Sequence, residues 1–542
     1  MRASLSPSPV SLPDPIQLGL ASGWKVRDAS QLHAPLVTEC DVLIVGTGAG
    51  GGITAEVLSQ QSGLHIIMVE EGALKSSKDF KMREADAYPQ LYQEAAARKT
   101  ADKAINILQG RTVGGSTTVN WTSSFRTPPD TLHFWQREFG LQDYTVDNLA
   151  PSFAAVEDLL GIAPWVTEPN RNNGILRQGA ERLGFHIGEI KRNVRGCWNL
   201  GYCGMGCPTN AKQSMLVTTI PHALSRGAEL ITRCRVDRLI YDGHRITHIE
   251  CSALSADGLT LTGQSVVIYA KHVVLAGGAI NTPAILLRSK LPDPYQQIGK
   301  RTFLHPTVIS AALFKETVDG FNGAPQSLYS DHFLHTYPID GAIGYKLEAP
   351  PIHPVLFSTT LQGYGEAHHA LMQQFSHTHA LLALLRDGFH PESIGGQVRL
   401  HNNGAAILDY PQNDFLWHGV RRAFLSMTEI QLAAGASTVY PVHENVTTGY
   451  RSWQAAQHGI SQLDLRPLLT RMVSAHVMGG CGMAHDEQRG IITPNGRYRY
   501  ADNLSIHDGS LFPTSIGANP QLSIYGIVHR LSMALKTQLI GC

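Results

Sequence analysis

The first strong apolar run is DVLIV at 41–45, and it stops abruptly at the glycine turn GTGAGGG. A short continuous run of this kind predicts a strand buried on both faces. ITAEVLSQ follows, with Ile53, Val57 and Leu58 on one side of a predicted helix. LHIIMV at 64–69 is a second buried strand, closed by Glu70-Glu71-Gly72. Together these segments outline a βαβ unit. Residues 73–105 are polar and predict a helical or looped excursion. LQGRTVGGSTTVNWTS, rich in Gly, Ser and Thr, suits a loop pressed against a ligand. Residues 145–187 read as mostly helical, and a Gly- and Cys-rich insert occupies 195–208. LITRCRVDRLIYDG and HRITHIECSAL predict antiparallel strands around a turn at Asp242-Gly243. HVVLAGGAINTPAILL at 272–287 predicts a strand, a glycine turn and a helix. Residues 310–475 predict an antiparallel layer with helices, and 476–542 returns to glycine turns before a C-terminal helix.

The turn Gly46-x-Gly48-x-x-Gly51 has the spacing that seats a diphosphate. The first glycine permits the tight turn, the second lets the backbone approach the phosphates, and the third lets helix and strand pack closely. The helix start offers free N–H groups and partial positive charge. Glu70 ends the next strand, where a carboxylate can accept hydrogen bonds from ribose hydroxyls. The geometry serves FAD and NAD alike, so the turn by itself does not choose between them.

Composition narrows the class. At 542 residues the chain exceeds a single core, which stops growing near about 250–300 residues. Charged residues are only 16%, which argues against disorder. Lys plus Arg and Asp plus Glu both count 44, so nothing points to nucleic acid. No apolar run of membrane-spanning length is present, and the N-terminus lacks a secretory pattern. With eight cysteines and no such signal, a cytoplasmic protein with reduced thiols is expected, with peripheral membrane association left open.

From about residue 40 onward the chain resembles the glucose–methanol–choline (GMC) family of flavin oxidoreductases. The matching pieces are DVLIVGTGAGGG, VEEG at 69–72, GRTVGGSTTVN at 110–120, VVLAGGAINTPAILLRS at 273–289 and DGSLFPTSIGANPQLS at 508–523. WTSSFRTPP at 121–129 and CGMGCPTNAKQS at 203–214 look most like its long-chain alcohol oxidase branch. The resemblance implies an α/β (α+β overall) protein: a Rossmann-like FAD-binding domain with an inserted antiparallel-sheet substrate domain. The expected division is an N-terminal arm at 1–35 and FAD-binding parts at 36–135, 196–309 and 476–542. A helical cover at 136–195 and a substrate domain at 310–475 complete it. The resemblance implies FAD contacts from Gly46, Gly48, Gly51, Glu70, Arg111, Gly114, Gly115, Ser116, Asn120, Val236, Ala276, Asp508, Gly509 and Pro520. The GGSTTVN loop has no His, so FAD is expected to be non-covalent; a link at His305-Pro306 is the alternative.

Alcohol oxidation needs a base for the hydroxyl proton while hydride leaves carbon for the flavin. Among 25 histidines, His476 stands in SAHVMGGCGM, which resembles the family's catalytic segment. Its implied partner is Asn519 in GANP, which can hold and orient the substrate oxygen. Asn-Pro is also an ordinary turn. The expected partners are a small alcohol and an acceptor such as oxygen or a quinone. Cys197, Cys203 and Cys207, spaced C-x5-C-x3-C, resemble the cluster ligands of sugar dehydrogenases in the family. An iron–sulfur relay is therefore an alternative, not the favoured reading, and no metal ligands are assigned. A sugar dehydrogenase subunit, a non-catalytic flavin module and an NAD dehydrogenase are the rival functions. Phe303–His305, Tyr345, Phe357 and Phe375 are compatible with an apolar substrate pocket.

Overall fold

The computed structural model describes residues 13–541. Residues 1–12 of the expected arm, and Cys542, lie outside the described residues. Two eight-stranded sheets organise the α/β fold. In the first, Val26–Asp28, Glu229–Thr232, Ile66–Val69, Leu36–Val45 and Leu261–Leu275 run parallel in that order. The long strand Leu261–Leu275 changes partners along its length. Its first half pairs antiparallel with Ile246–Leu254, which pairs with Cys234–Tyr241. Its last three residues pair parallel with Leu504–Ile506.

The register places Val69, Val45, Leu275 and Ile506 side by side. Each therefore releases its following turn at the same carboxyl edge, which is where open parallel sheets bind ligands. Continuous apolar runs suit these strands because their side chains are buried on both faces. Val42–Ile44 and Ile66–Met68 are almost wholly buried. The glycine helix Ala49–Ser59 and the C-terminal helix Gln521–Ile540 pack against each other beside the sheet.

The second sheet is mostly antiparallel. Its order is Ile105–Ile107, Met472–Ser474, Thr307–Leu313, Thr378–Leu385, Tyr345–Glu348, Leu328–Ser330 and Gly188–Glu189, with Thr438–Pro441 also against Thr307–Leu313. Helix Asp414–Ala433 packs on this sheet with Val420, Phe424 and Met427 buried. Two edge strands, Ile105–Ile107 and Gly188–Glu189, come from segments outside the expected 310–475 insertion.

The expected arm departs from its sequence reading. Residues 15–21 form a helix, and Val26–Asp28 is an edge strand. Asp14 caps the helix by accepting from the Ile16 and Gln17 amides, with Pro15 in the first turn. Asp-Pro is a helix-start signal, since an N-terminal N–H has no intrahelical partner for proline to remove. Asp14 also accepts from the Ser77 amide at 2.8 Å, which ties the segment down.

Three histidines are held neutral in the interior. Burial lowers His272, His379 and His507 to about 3 each. The unfolded chain takes up these protons as pH falls below about 6.5, whereas the folded chain does not. Each therefore removes on the order of 4 kcal/mol of stability as pH falls from 6.5 to 3. Buried Glu70, Asp387 and Asp508, whose carboxyls are raised by burial, offset part of this at the acid end. The urea midpoint is expected to fall continuously from pH 6.5 to 4. A midpoint flat over that window would contradict the neutral histidines.

Candidate active site

A cavity of about 560 Å³ runs from the carboxyl edge of the first sheet to the second sheet. Gly46, Gly48, Glu70, Gly115, Ser116, Asn120, Val236, Ala276, Asp508, Gly509, Pro520, His476 and Asn519 all line it. Segments separated by hundreds of residues meet there because their strands are neighbours. Three expected contacts are placed otherwise. Arg111 does not line the cavity; it pairs with Glu71 at 3.1 Å and donates to the Gly258 carbonyl at 2.6 Å. Its long side chain follows the nearest carboxylate outward. Gly51 and Gly114 sit one layer behind the wall.

The first glycine turn is tightly packed. Gly46 has φ +94, in the left-handed region that favours glycine. A Cβ at Gly51 would overlap the Gly46 carbonyl, so this glycine does close helix and strand together. A Cβ at Gly50 would overlap the His507 carbonyl oxygen. Gly50 is absent from the three-glycine motif, yet it is where the DGS segment docks. Gly48 faces the second glycine turn, with Gly115 Cα 3.8 Å from where its Cβ would stand.

One hydroxyl joins these turns to Glu70. Thr47 Oγ1 donates to Glu70 Oε2 at 2.7 Å and accepts from the Gly114 amide at 3.0 Å. Glu70 also accepts from the Thr47 and Gly72 amides, each at 3.0 Å. Thr47→Val keeps the shape and leaves the Gly114 amide buried without its acceptor. A loss of about 1–3 kcal/mol is expected in urea unfolding, with earlier flavin release on heating. A midpoint equal to wild type would contradict the bridge. Asp508 plays a similar part across the cavity. It accepts from the Gly278 amide (2.8 Å), Thr282 Oγ1 (2.6 Å) and the Ser510 amide (2.8 Å).

The far end is built by the second sheet. Thr307 pairs with Val473, so His305 and His476 leave adjacent strands side by side. Their Nδ1 atoms are 3.1 Å apart. His305 has φ +48, an uncommon conformation for a non-glycine residue. Asp387 holds it there by accepting from the Leu304 amide at 3.0 Å and the His305 amide at 3.1 Å. Burial lowers His476 to about 4, Glu348 raising it and Lys346 lowering it further. Burial also holds His305 well below its ordinary value, with His476, Lys346 and Arg386 adding to the effect. Asn519 accepts from Lys346 Nζ and donates from Nδ2 to Glu348 Oε2 at 3.3 Å.

Thr47, Lys346, Glu348 and Gln521 carry no local sequence signal, whereas His305, set before Pro306 as the alternative flavin link, pairs with His476. Gln521 joins Asn120 to the Ser123 carbonyl, with bonds of 2.6 and 2.9 Å. The aromatic residues compatible with an apolar substrate pocket belong to the core. Phe303, Tyr345 and Phe357 are buried, Phe375 packs on a small hydrophobic cluster, and none lines the cavity.

The cysteine insert is organised by two buried cations. Lys212 Nζ donates to the Thr118, Asn120 and Cys203 carbonyls at 2.7–2.8 Å. Arg192 donates to Thr122 Oγ1 and to the Trp121 and Pro325 carbonyls. Both brace the loop that carries Asn120. Among the described residues, no group of three or more His, Cys, Asp or Glu is placed to hold a metal ion, so the iron–sulfur alternative has no ligand set. All seven described cysteines are free thiols. No helix among the described residues is long and apolar enough to cross a membrane.

Comparison with known proteins bears on the same segments. The family profiles described as GMC oxidoreductase match residues 88–307 and 391–527. An uncharacterized GMC-type oxidoreductase of Sinorhizobium fredii is 28% identical, over 94% of this chain and 97% of its own length. A long-chain-alcohol oxidase of Arabidopsis thaliana is 27% identical, over 92% of this chain and 67% of its own. Among solved structures, pyridoxine 4-oxidase from Mesorbium loti superposes with a TM-score of 0.67 at 19% identity, over 91% of this chain and 99% of that one. A formate oxidase gives 0.69 at 14%, over 93% and 100%. At these identities the structural likeness concerns the fold.

Proposed function

The chain belongs to the GMC oxidoreductase family, and from that premise we propose that it oxidises an alcohol CH–OH group to an aldehyde or ketone with bound FAD. One observation carries the reading: a glycine cradle and a His476/Asn519 pair line one cavity. The residues fit the cofactor. Gly48 and Gly115 face each other so closely that a Cβ on Gly115 would stand 2.7 Å from Gly48 Cα. Only bare backbone leaves room there for a diphosphate. Gly46, Gly48, Gly115, Ser116, Asp508 and Gly509 would hold it, with Glu70 and Val236 at the adenosine end. FAD supplies the hydride acceptor when bound. Among the described residues, His476 is the one histidine that lines the cavity, which supports non-covalent binding.

His476 takes the hydroxyl proton, and Asn519 holds the oxygen that loses it. An Nδ1–Nδ1 contact needs a single shared proton, so one ring donates and the other accepts. In the arrangement that leaves His476 a base, His305 Nδ1 accepts from His476 Nδ1–H and His476 Nε2 keeps the lone pair.

The test is anaerobic. Ethanol, 1-octanol, 1-hexadecanol, benzyl alcohol and glucose are mixed with the yellow holoprotein. Bleaching by an alcohol is expected, and the long-chain members test the substrate class named for the Arabidopsis relative. A flavin that no alcohol bleaches, yet dithionite does, contradicts the proposal. Repeating the reaction with oxygen and with a quinone identifies the acceptor.

A further inference from the structure

Behind Asn519 stands a charge pair that the alcohol mechanism does not use. Lys346 and Glu348 lie two apart on one strand, so both project from the same face. They are 2% and 0% exposed, and Lys346 Nζ is 2.8 Å from Glu348 Oε1. The ammonium stands 3.6 Å from the centroid of the Phe125 ring. Gln326 Nε2 donates to Glu348 Oε2 at 2.5 Å. A fully enclosed Lys–Glu pair is costly unless its hydrogen bonds are met, and replacing such pairs by apolar residues is often neutral for stability. Stability alone is therefore a weak reason for its presence.

The contacts suggest a different use. Lysine can only donate and carboxylate can only accept. Lys346 meets Asn519 Oδ1, and Glu348 Oε2 meets Asn519 Nδ2. An inverted amide would place NH₂ against ammonium and oxygen against carboxylate. The pair therefore permits one orientation of the amide, with the second Nδ2 hydrogen unused by either partner. Asn519 lines the cavity, whereas Lys346 and Glu348 do not.

We propose that Lys346 and Glu348 are positioning residues: they lock the Asn519 amide so that an N–H, not the carbonyl, meets the substrate oxygen. The substrate class that follows is one whose oxygen gains negative charge during reaction, as an alcohol does on losing its proton. The ammonium also draws electron density through Oδ1, which strengthens the opposite N–H as a donor. The inference rests on the reading of Asn519 as the oxygen-holding residue.

Stopped-flow reduction of the FAD-loaded protein, without oxygen, by the fastest alcohol of the panel tests it. Lys346→Met/Glu348→Gln removes both charges together, so no lone charge is buried. It is expected to keep its flavin, to be reduced normally by dithionite, and to lose about 10–100-fold in the limiting rate with alcohol. Lys346→Gln, uncharged and close in length, is measured beside it and is expected to lose a similar factor. The decisive readout is non-additivity. In an Asn519→Ala background the two charge changes are expected to add less than about twofold, since their effect passes through the missing amide. A general structural role would instead multiply the losses. Wild-type rates in either charge variant, or full multiplication in the triple variant, overturn the inference. An unchanged rate in Asn519→Ala alone overturns the reading of Asn519 itself, so the two failures are distinct.

Discussion

His476→Ala is expected to slow anaerobic flavin reduction by alcohol about 10²–10⁴-fold, the usual contribution of a positioned base. Flavin content and dithionite reduction are expected to be unchanged, because His476 lines the cavity outside the two glycine turns that form the cradle. The pH profile is a second readout. A base must be unprotonated, and burial lowers His476 to about 4. Activity is therefore expected to persist through pH 6 and to be lost as pH falls through about 4. An ordinary exposed histidine would give that limb near about 6.5. Unchanged reduction in His476→Ala would remove the assignment. His305→Ala is a milder lesion on the same reasoning, because it frees the proton arrangement on His476 without removing the base.

Gly50→Ala is expected to have the largest effect on the protein itself. Its Cβ would overlap the His507 carbonyl oxygen, which is backbone and cannot swing away. The helix Ala49–Ser59 must then separate from the segment that carries Asp508 and Gly509. Overpacking of this kind costs about 1–3 kcal/mol, occasionally more, and here it also opens the cavity wall. Loss of bound flavin and a clear drop in unfolding temperature are expected. Gly48→Ala makes the contrast. Its Cβ would stand 3.8 Å from Gly115 Cα, an ordinary contact. The variant is expected to unfold near the wild-type temperature when free of flavin, yet to hold FAD poorly because the methyl enters the diphosphate passage. If the two variants behave alike in both measurements, the division between a packing glycine and a cradle glycine is wrong.

These glycines show where the sequence was legible. The spacing of Gly46, Gly48 and Gly51 is local, and local geometry dictates a turn between a buried strand and a helix. Gly50 looks like filler because its constraint comes from residue 507, which no local pattern reveals. The same division holds for Arg111. It stands inside a convincing motif, but its side chain answers to Glu71 and Gly258. The apolar residues Phe303, Tyr345 and Phe357 were open to a substrate reading because composition does not distinguish a pocket wall from a packed core.

Resemblance to the family singled out His476 and Asn519, which line the cavity; by itself the sequence determined the glycine turn, the buried parallel strands and the C-terminal helix. Each is written in short stretches whose side-chain pattern answers to its own backbone. Only the tertiary structure decided what stands behind them. Lys346 and Glu348 reach Asn519 across 173 and 171 positions of chain, and His305 reaches His476 across 171. Those contacts depend on strand order and register in the second sheet, which follow from how all its faces bury at once rather than from any one segment.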